Sequence, residues 1–259
     1  MDLGIFVRTI SEAHGADDAE LFNVEQGEAF AAFLVELGYK HVSFQTCAFN
    51  AQGYKRVNEQ HLWSFAEAAK AAGLGVHLWA EVGSKTVEAG VVRLRECLEH
   101  LEGIETVQLV LRTSSRPWSG TLDQALSYLQ AEARDYGCTV GVGHVADIGE
   151  ANMRAFMRYA DYTMPMFVTE KREEVGQWML QYDRWGSPPS EMVLPVNYKR
   201  EGSYAYAKTL NACNLGKNNE RMWVWSCREA VLPLLNQAPQ DAFSLSKVIQ
   251  AGLFRLQRG

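Results

Sequence analysis

The chain has 259 residues, 47% of them hydrophobic and 22% charged, enough to bury a sizeable core and too apolar for a disordered segment. A formal charge of −6 leaves no basic field for a phosphate backbone, and no window approaches the roughly 18 uninterrupted apolar residues of a membrane span, so nucleic acid and membrane are excluded as expected partners. Five cysteines without a CxxC or other close pair argue against both a disulfide framework and a thiolate zinc site.

In chain order, the first apolar run is LGIFV (3–7), preceded by no basic lead-in and followed by no small-residue cleavage site, so a cytoplasmic location is expected. The stretch 9–26 reads as a long connection. Phe30, Phe33, Leu34 and Leu37 then recur at helical spacing and lead to a second strand-like run, HVSF (41–44), with another long connection over 46–57. LGVHLWA (74–80) is the third run. Val87, Val91, Leu94, Leu98 and Leu101 hold one helical face before the fourth, ETVQLVL (105–111). Thr121 to Gln124 has capping-box form, and CTVGVGHV (138–145), YTMPMFV (162–168), MVLPV (192–196) and RMWVWS (221–226) complete eight strand-like runs. Gly38, Gly73, Gly103 and Gly137 stand where helices should stop before a strand begins.

Strand and helix alternate from end to end, which calls for a parallel sheet with crossover helices. No glycine-rich dinucleotide turn follows the first strand, where the chain reads RTISEAHGADDAE. The expected fold is therefore α/β, a single (β/α)8 TIM barrel occupying residues 1–259, with no linker rich enough in Pro, Gly or Ser to divide it.

Ligand sites in such barrels lie at the carboxyl ends of the strands. Alternation places there Arg8, Gln45, Glu81 in register with His77 and Trp79, and Arg112 in register with Gln108. His144 with Asp147 follows the fifth strand, Asn197 and Tyr198 the seventh, and Trp225 and Glu229 the eighth. His77 lies deeper and reads as structural. Carboxylates Glu81, Asp147 and Glu229 are the candidates for chemistry. Arg8, Gln45, Trp79, Arg112, His144, Asn197, Tyr198 and Trp225 are the candidates for holding a substrate. Sugar rings stack their C–H faces on aromatic side chains while their hydroxyls bond to Arg, Asn and Gln, so this set suits a carbohydrate; the same tryptophans could equally fill the barrel core. A divalent ion between His144, Asp147 and Glu81 is the metal alternative; otherwise no metal or cofactor is expected.

The segments ADYTMPMFVTE, DRWGSPPSEMVLPVNY and RMWVWSCRE, over roughly 160–229, resemble the last three strands of chitinase-like glycoside hydrolases. In that family the fourth strand carries aspartates ending on the glutamate that protonates the leaving oxygen; here it reads VQLVLRTSSRPW, without a carboxylate from Val107 to Trp118. Arg112 cannot replace that acid, because a guanidinium only donates. MDLGIFVRTI, LVELGYKHVSFQ and AAKAAGLGVHLW are similar to the opening of xylose-isomerase-like sugar isomerases and epimerases, a resemblance that implies a divalent ion held by later strands. The first expectation is a glycoside-hydrolase-like enzyme acting on a polysaccharide. The alternatives are a metal-dependent sugar isomerase or epimerase, and a glycan-binding barrel without catalysis. Oligomeric state is not legible from the chain.

Overall fold

A computed structural model of the chain describes residues 2–7, 27–50, 53–56, 59–111, 121–145, 147–166, 172–195 and 221–225. The strands are β1 (Asp2–Val7), β2 (His41–Asn50), β3 (Gly53–Arg56), β4 (Gly75–Val82), β5 (Ile104–Leu111), β6 (Thr139–Val145), β7 (Tyr162–Met166), β8 (Met192–Pro195) and β9 (Arg221–Trp225). The helices are α1 (Gly27–Glu36), α2 (Glu59–Ala71), α3 (Val87–Leu98), α4 (Thr121–Asp135), α5 (Glu150–Tyr159) and α6 (Arg172–Trp185).

Eight of these strands pair in parallel, in the order β1-β9-β8-β7-β6-β5-β4-β2, and β2 pairs back onto β1 to close the ring. This is the expected (β/α)8 barrel. Its one departure is β3, which pairs antiparallel with the end of β2 through Cys47↔Arg56 to Asn50↔Gly53, so the expected connection 46–57 holds a hairpin. The four glycines foreseen as helix stops all have positive φ, from 70° at Gly103 to 87° at Gly38, which side chains with a Cβ adopt only with strain.

Each strand divides its side chains between two cores. Val42, Phe44, Val76, Leu78, Leu109, Val140 and Val142 face the helices and pack with Leu34, Phe65, Leu94, Leu126 and Phe156. Phe6, Trp79, Val110, Tyr162, Met164, Val193 and Trp223 fill the interior as a plug rather than a pore. Phe6 meets the edge of Trp79 at 5.7 Å and tilts against Trp223 at 5.1 Å. Glycines make room for these rings: a Cβ on Gly4 would stand 2.5 Å from Trp223, and one on Gly141 would stand 2.6 Å from Tyr162.

Candidate active site

Register stacks the interior into rows. At the amino-terminal end His41 lies beside Gly75; the next row is Ser43, His77, Thr106 and Thr139; above it come Gln45, Trp79, Gln108, Gly141 and Tyr162. The row nearest the carboxyl-terminal mouth is Glu81, Val110, Gly143 and Met164. In that row Glu81 is the one side chain that ionises, and it is 6% exposed. A carboxylate there, in register with Val110, stands at the place where barrel ligands dock.

Beneath it the polar groups are tied to one another. Ser43 Oγ donates to Gln108 Oε1 at 2.6 Å, and Gln108 Nε2 donates to the Tyr162 hydroxyl at 2.9 Å. Trp79 is fully buried and donates its indole N–H to the Val7 carbonyl at 3.3 Å. The expectation that Trp79 offers a stacking face at the mouth is therefore corrected: it is part of the plug, one row deeper. Gln45 shares that row and is also buried.

His144 is corrected as well. It faces away from the interior, between Phe156 of α5 and Tyr182 of α6, with ring centroids 5.6 and 5.4 Å away. Its Nδ1 bonds the Val145 carbonyl at 2.8 Å, and burial lowers its pKa to about 4. Asp147 is exposed, and its charge adds to the burial that pushes the Tyr182 phenol up. Glu81 and His144 thus lie on opposite faces of the sheet, and the expected convergence of Glu81, His144 and Asp147 on one ion does not form.

Trp225 closes β9 beside Pro195 of β8, at the carboxyl end as expected. Arg8, Arg112, Asn197, Tyr198 and Glu229 lie outside the described residues.

A second polar assembly, at the amino-terminal end, was not foreseen. Arg221 Nε donates to Glu191 Oε1 at 2.8 Å, and Trp223 Nε1 donates to Glu191 Oε2 at 2.7 Å. His41, His77 and Glu105 meet beside this pair. His77 lies wholly inside, and burial holds its pKa well below the ordinary histidine value. The sequence signal for this assembly was weak because strand starts draw no attention under a rule about strand ends, and because a bulge between Val76/Ile104 and His77/Thr106 displaces Glu105 from simple alternation.

No helix among the described residues is long and apolar enough to cross a membrane. No family model and no curated protein matches the sequence. Solved structures do match. An FMN-binding β-glucuronidase from Facaelibacterium prausnitzii L2-6 superposes with a TM-score of 0.59 at 13% identity over 86% of this chain, which spans 37% of that protein's length. A GH113 β-1,4-mannanase matches with a TM-score of 0.60 at 11% identity over 97% of both chains. The tryptophan synthase alpha chain of Legionella pneumophila matches with a TM-score of 0.58 at 10% identity, covering 97% of this chain and 90% of its own. Glycoside hydrolases and a synthase subunit share this architecture equally, so the likeness is one of fold: the chain is a (β/α)8 barrel.

Proposed function

We propose that the protein is a carbohydrate-active barrel that cleaves a glycan at its carboxyl-terminal mouth, with Glu81 as the group on which cleavage depends. The observation that carries this reading is the placement of Glu81, the one buried carboxylate at the carboxyl end of a strand among the described residues. Fold-level likeness to a glucuronidase and a mannanase raises the prior without assigning the substrate.

Glycosidic cleavage needs an acid to protonate the leaving oxygen and a second carboxylate to act as base or nucleophile. Glu81, buried at that mouth, is assigned the acid's part. Asp147 follows His144, which faces the helices, and this favours Glu229, after β9, as the partner. Arg8, Arg112, Asn197, Tyr198 and Trp225 are assigned to the substrate's hydroxyls and ring faces, a set that supplies donors and two aromatic surfaces.

The test is release of reducing ends from a panel of polymeric glycans, β-mannan among them, with and without a chelator. Turnover that survives the chelator supports the reading. Activity confined to interconversion of free sugars and abolished by the chelator would move the protein to the isomerase class, and tight glycan binding without turnover to the non-catalytic one.

A further inference from the structure

The structure assigns a transition-metal site, of a kind suited to Zn²⁺, to His41 Nδ1, His77 Nε2 and Glu105 Oε2 at the amino-terminal end of the barrel, opposite the proposed active site. The three atoms form a near-regular triangle. His77 Nε2 is 3.1 Å from His41 Nδ1, His41 Nδ1 is 3.5 Å from Glu105 Oε2, and His77 Nε2 is 3.4 Å from the same oxygen. Zinc holds nitrogen and carboxylate oxygen at about 2.0–2.2 Å in tetrahedral geometry, which sets neighbouring donors about 3.3–3.6 Å apart. A single ion just above the triangle satisfies all three bonds with shifts of a few tenths of an ångström.

The backbone is shaped for this meeting. Glu105 sits at the β5 bulge, a device that re-aims a side chain, while Ile104 and Val107 on either side keep to the helix-facing core. Gly75, beside His41, leaves the space in which the ring and the carboxylate approach: a Cβ there would overlap His41 Nδ1 and stand 2.5 Å from Glu105 Oε1. Glycine has no other visible duty at that position, since its φ is not in the left-handed region.

Charge and access agree. Asp2, Glu105 and Glu191 against Arg221 leave two negative charges around the site among the described residues, which a divalent ion neutralises. Arg221 competes for Glu105 only at 3.4 Å, because Glu191 holds its Nε at 2.8 Å and the Tyr162 ring faces its guanidinium at 5.5 Å. Glu105 and Asp2 are half-exposed, so the ion enters from solvent and keeps a fourth position for water. Ligation through Nδ1 puts the His41 proton on Nε2, which faces the Asp2 carboxylate at 3.8 Å, the carboxylate–histidine arrangement common behind zinc. Imidazole with one carboxylate favours Zn²⁺ over Ca²⁺ or Mg²⁺. Bound there, the ion would join β2, β4 and β5 beside the seam where β1 and β2 close the barrel.

The test is calorimetric titration of Zn²⁺ into the chelator-treated full chain, with thermal unfolding measured in parallel. One ion per chain, a raised unfolding temperature, and tetrahedral visible absorption on substitution with Co²⁺ are expected. Glu105→Gln, at a half-exposed position that tolerates the change, and His41→Asn should each weaken binding by about ten-fold or more, whereas Glu81→Gln should leave it intact. Absence of a stoichiometric site, or affinity unchanged in Glu105→Gln and His41→Asn, or affinity lost in Glu81→Gln, would overturn the assignment.

Discussion

Replacing His144 with phenylalanine should alter the acid sensitivity of the fold through one removable titration. The ring is fully buried against Phe156 and Tyr182, and burial lowers its pKa from 6.5 to about 4, with the Val145 carbonyl pulling the other way. Between those two pH values the unfolded chain binds a proton on His144 that the folded chain does not. The unfolded state therefore gains as pH falls, and stability contributed by the neutral ring is intact above pH 6.5 and lost progressively toward pH 4. At 1.36 kcal/mol for each tenfold difference in proton affinity, the whole window is worth about 3 kcal/mol, of which about 2 kcal/mol is already lost at pH 5. Against a typical stability of about 5–15 kcal/mol this is easily measured. Urea unfolding of wild type and His144→Phe at pH 7.5 and pH 5 gives the difference of differences, in which His41 and His77 cancel because both proteins carry them. Any overpacking by the larger ring is independent of pH and cancels too. Wild type should lose about 2 kcal/mol more than the variant on acidification; equal losses in the two proteins would refute the argument.

Gly4→Ala should destabilise the barrel by about 1–3 kcal/mol, read as a lowered urea midpoint, because its Cβ would press on the Trp223 ring, which is wedged against Phe6 and His77. Cys97 is fully buried and burial pushes its thiol up to about 12, so alkylation mapped by mass spectrometry should spare it in the native protein and label it after denaturation. Arg112→Lys should weaken glycan affinity while leaving the unfolding temperature unchanged, since lysine keeps the charge and loses the planar fork; equal affinity in calorimetry would remove Arg112 from the ligand's contacts.

The fold was legible because its signals are local and repeated. Gly38, Gly73, Gly103 and Gly137 end helices where only a residue free of Cβ strain fits, and each is followed by a strand. The β3 hairpin was not, since GYKR carries no apolar alternation and its pairing partner lies in the tail of β2. Glu81 was legible by alternation from His77 and Trp79, two residues at a time, along an unbroken strand. His144 was misread for a physical reason. The interior positions of β6 are Thr139, Gly141 and Gly143, so the alternating side chains that would have marked the inner face are largely missing, and alternation was read in the register that points the histidine inward. Tyr162 explains the vacancy, because its ring occupies the space over Gly141. Trp79 was placed on the correct face and given the wrong task, since alternation reports which face a side chain takes and not how deep the plug reaches.

The measurement that bears most directly on the proposed activity pairs turnover with binding in Glu81→Gln. Glutamine keeps the shape of the side chain and removes its ability to ionise or donate an acidic proton, so the variant should stay folded, bind the glycan identified in the panel within a few-fold of wild-type affinity, and lose turnover by about a hundredfold or more, the scale of general acid catalysis. A folded Glu81→Gln protein that cleaves the same glycan at close to the wild-type rate would contradict the account.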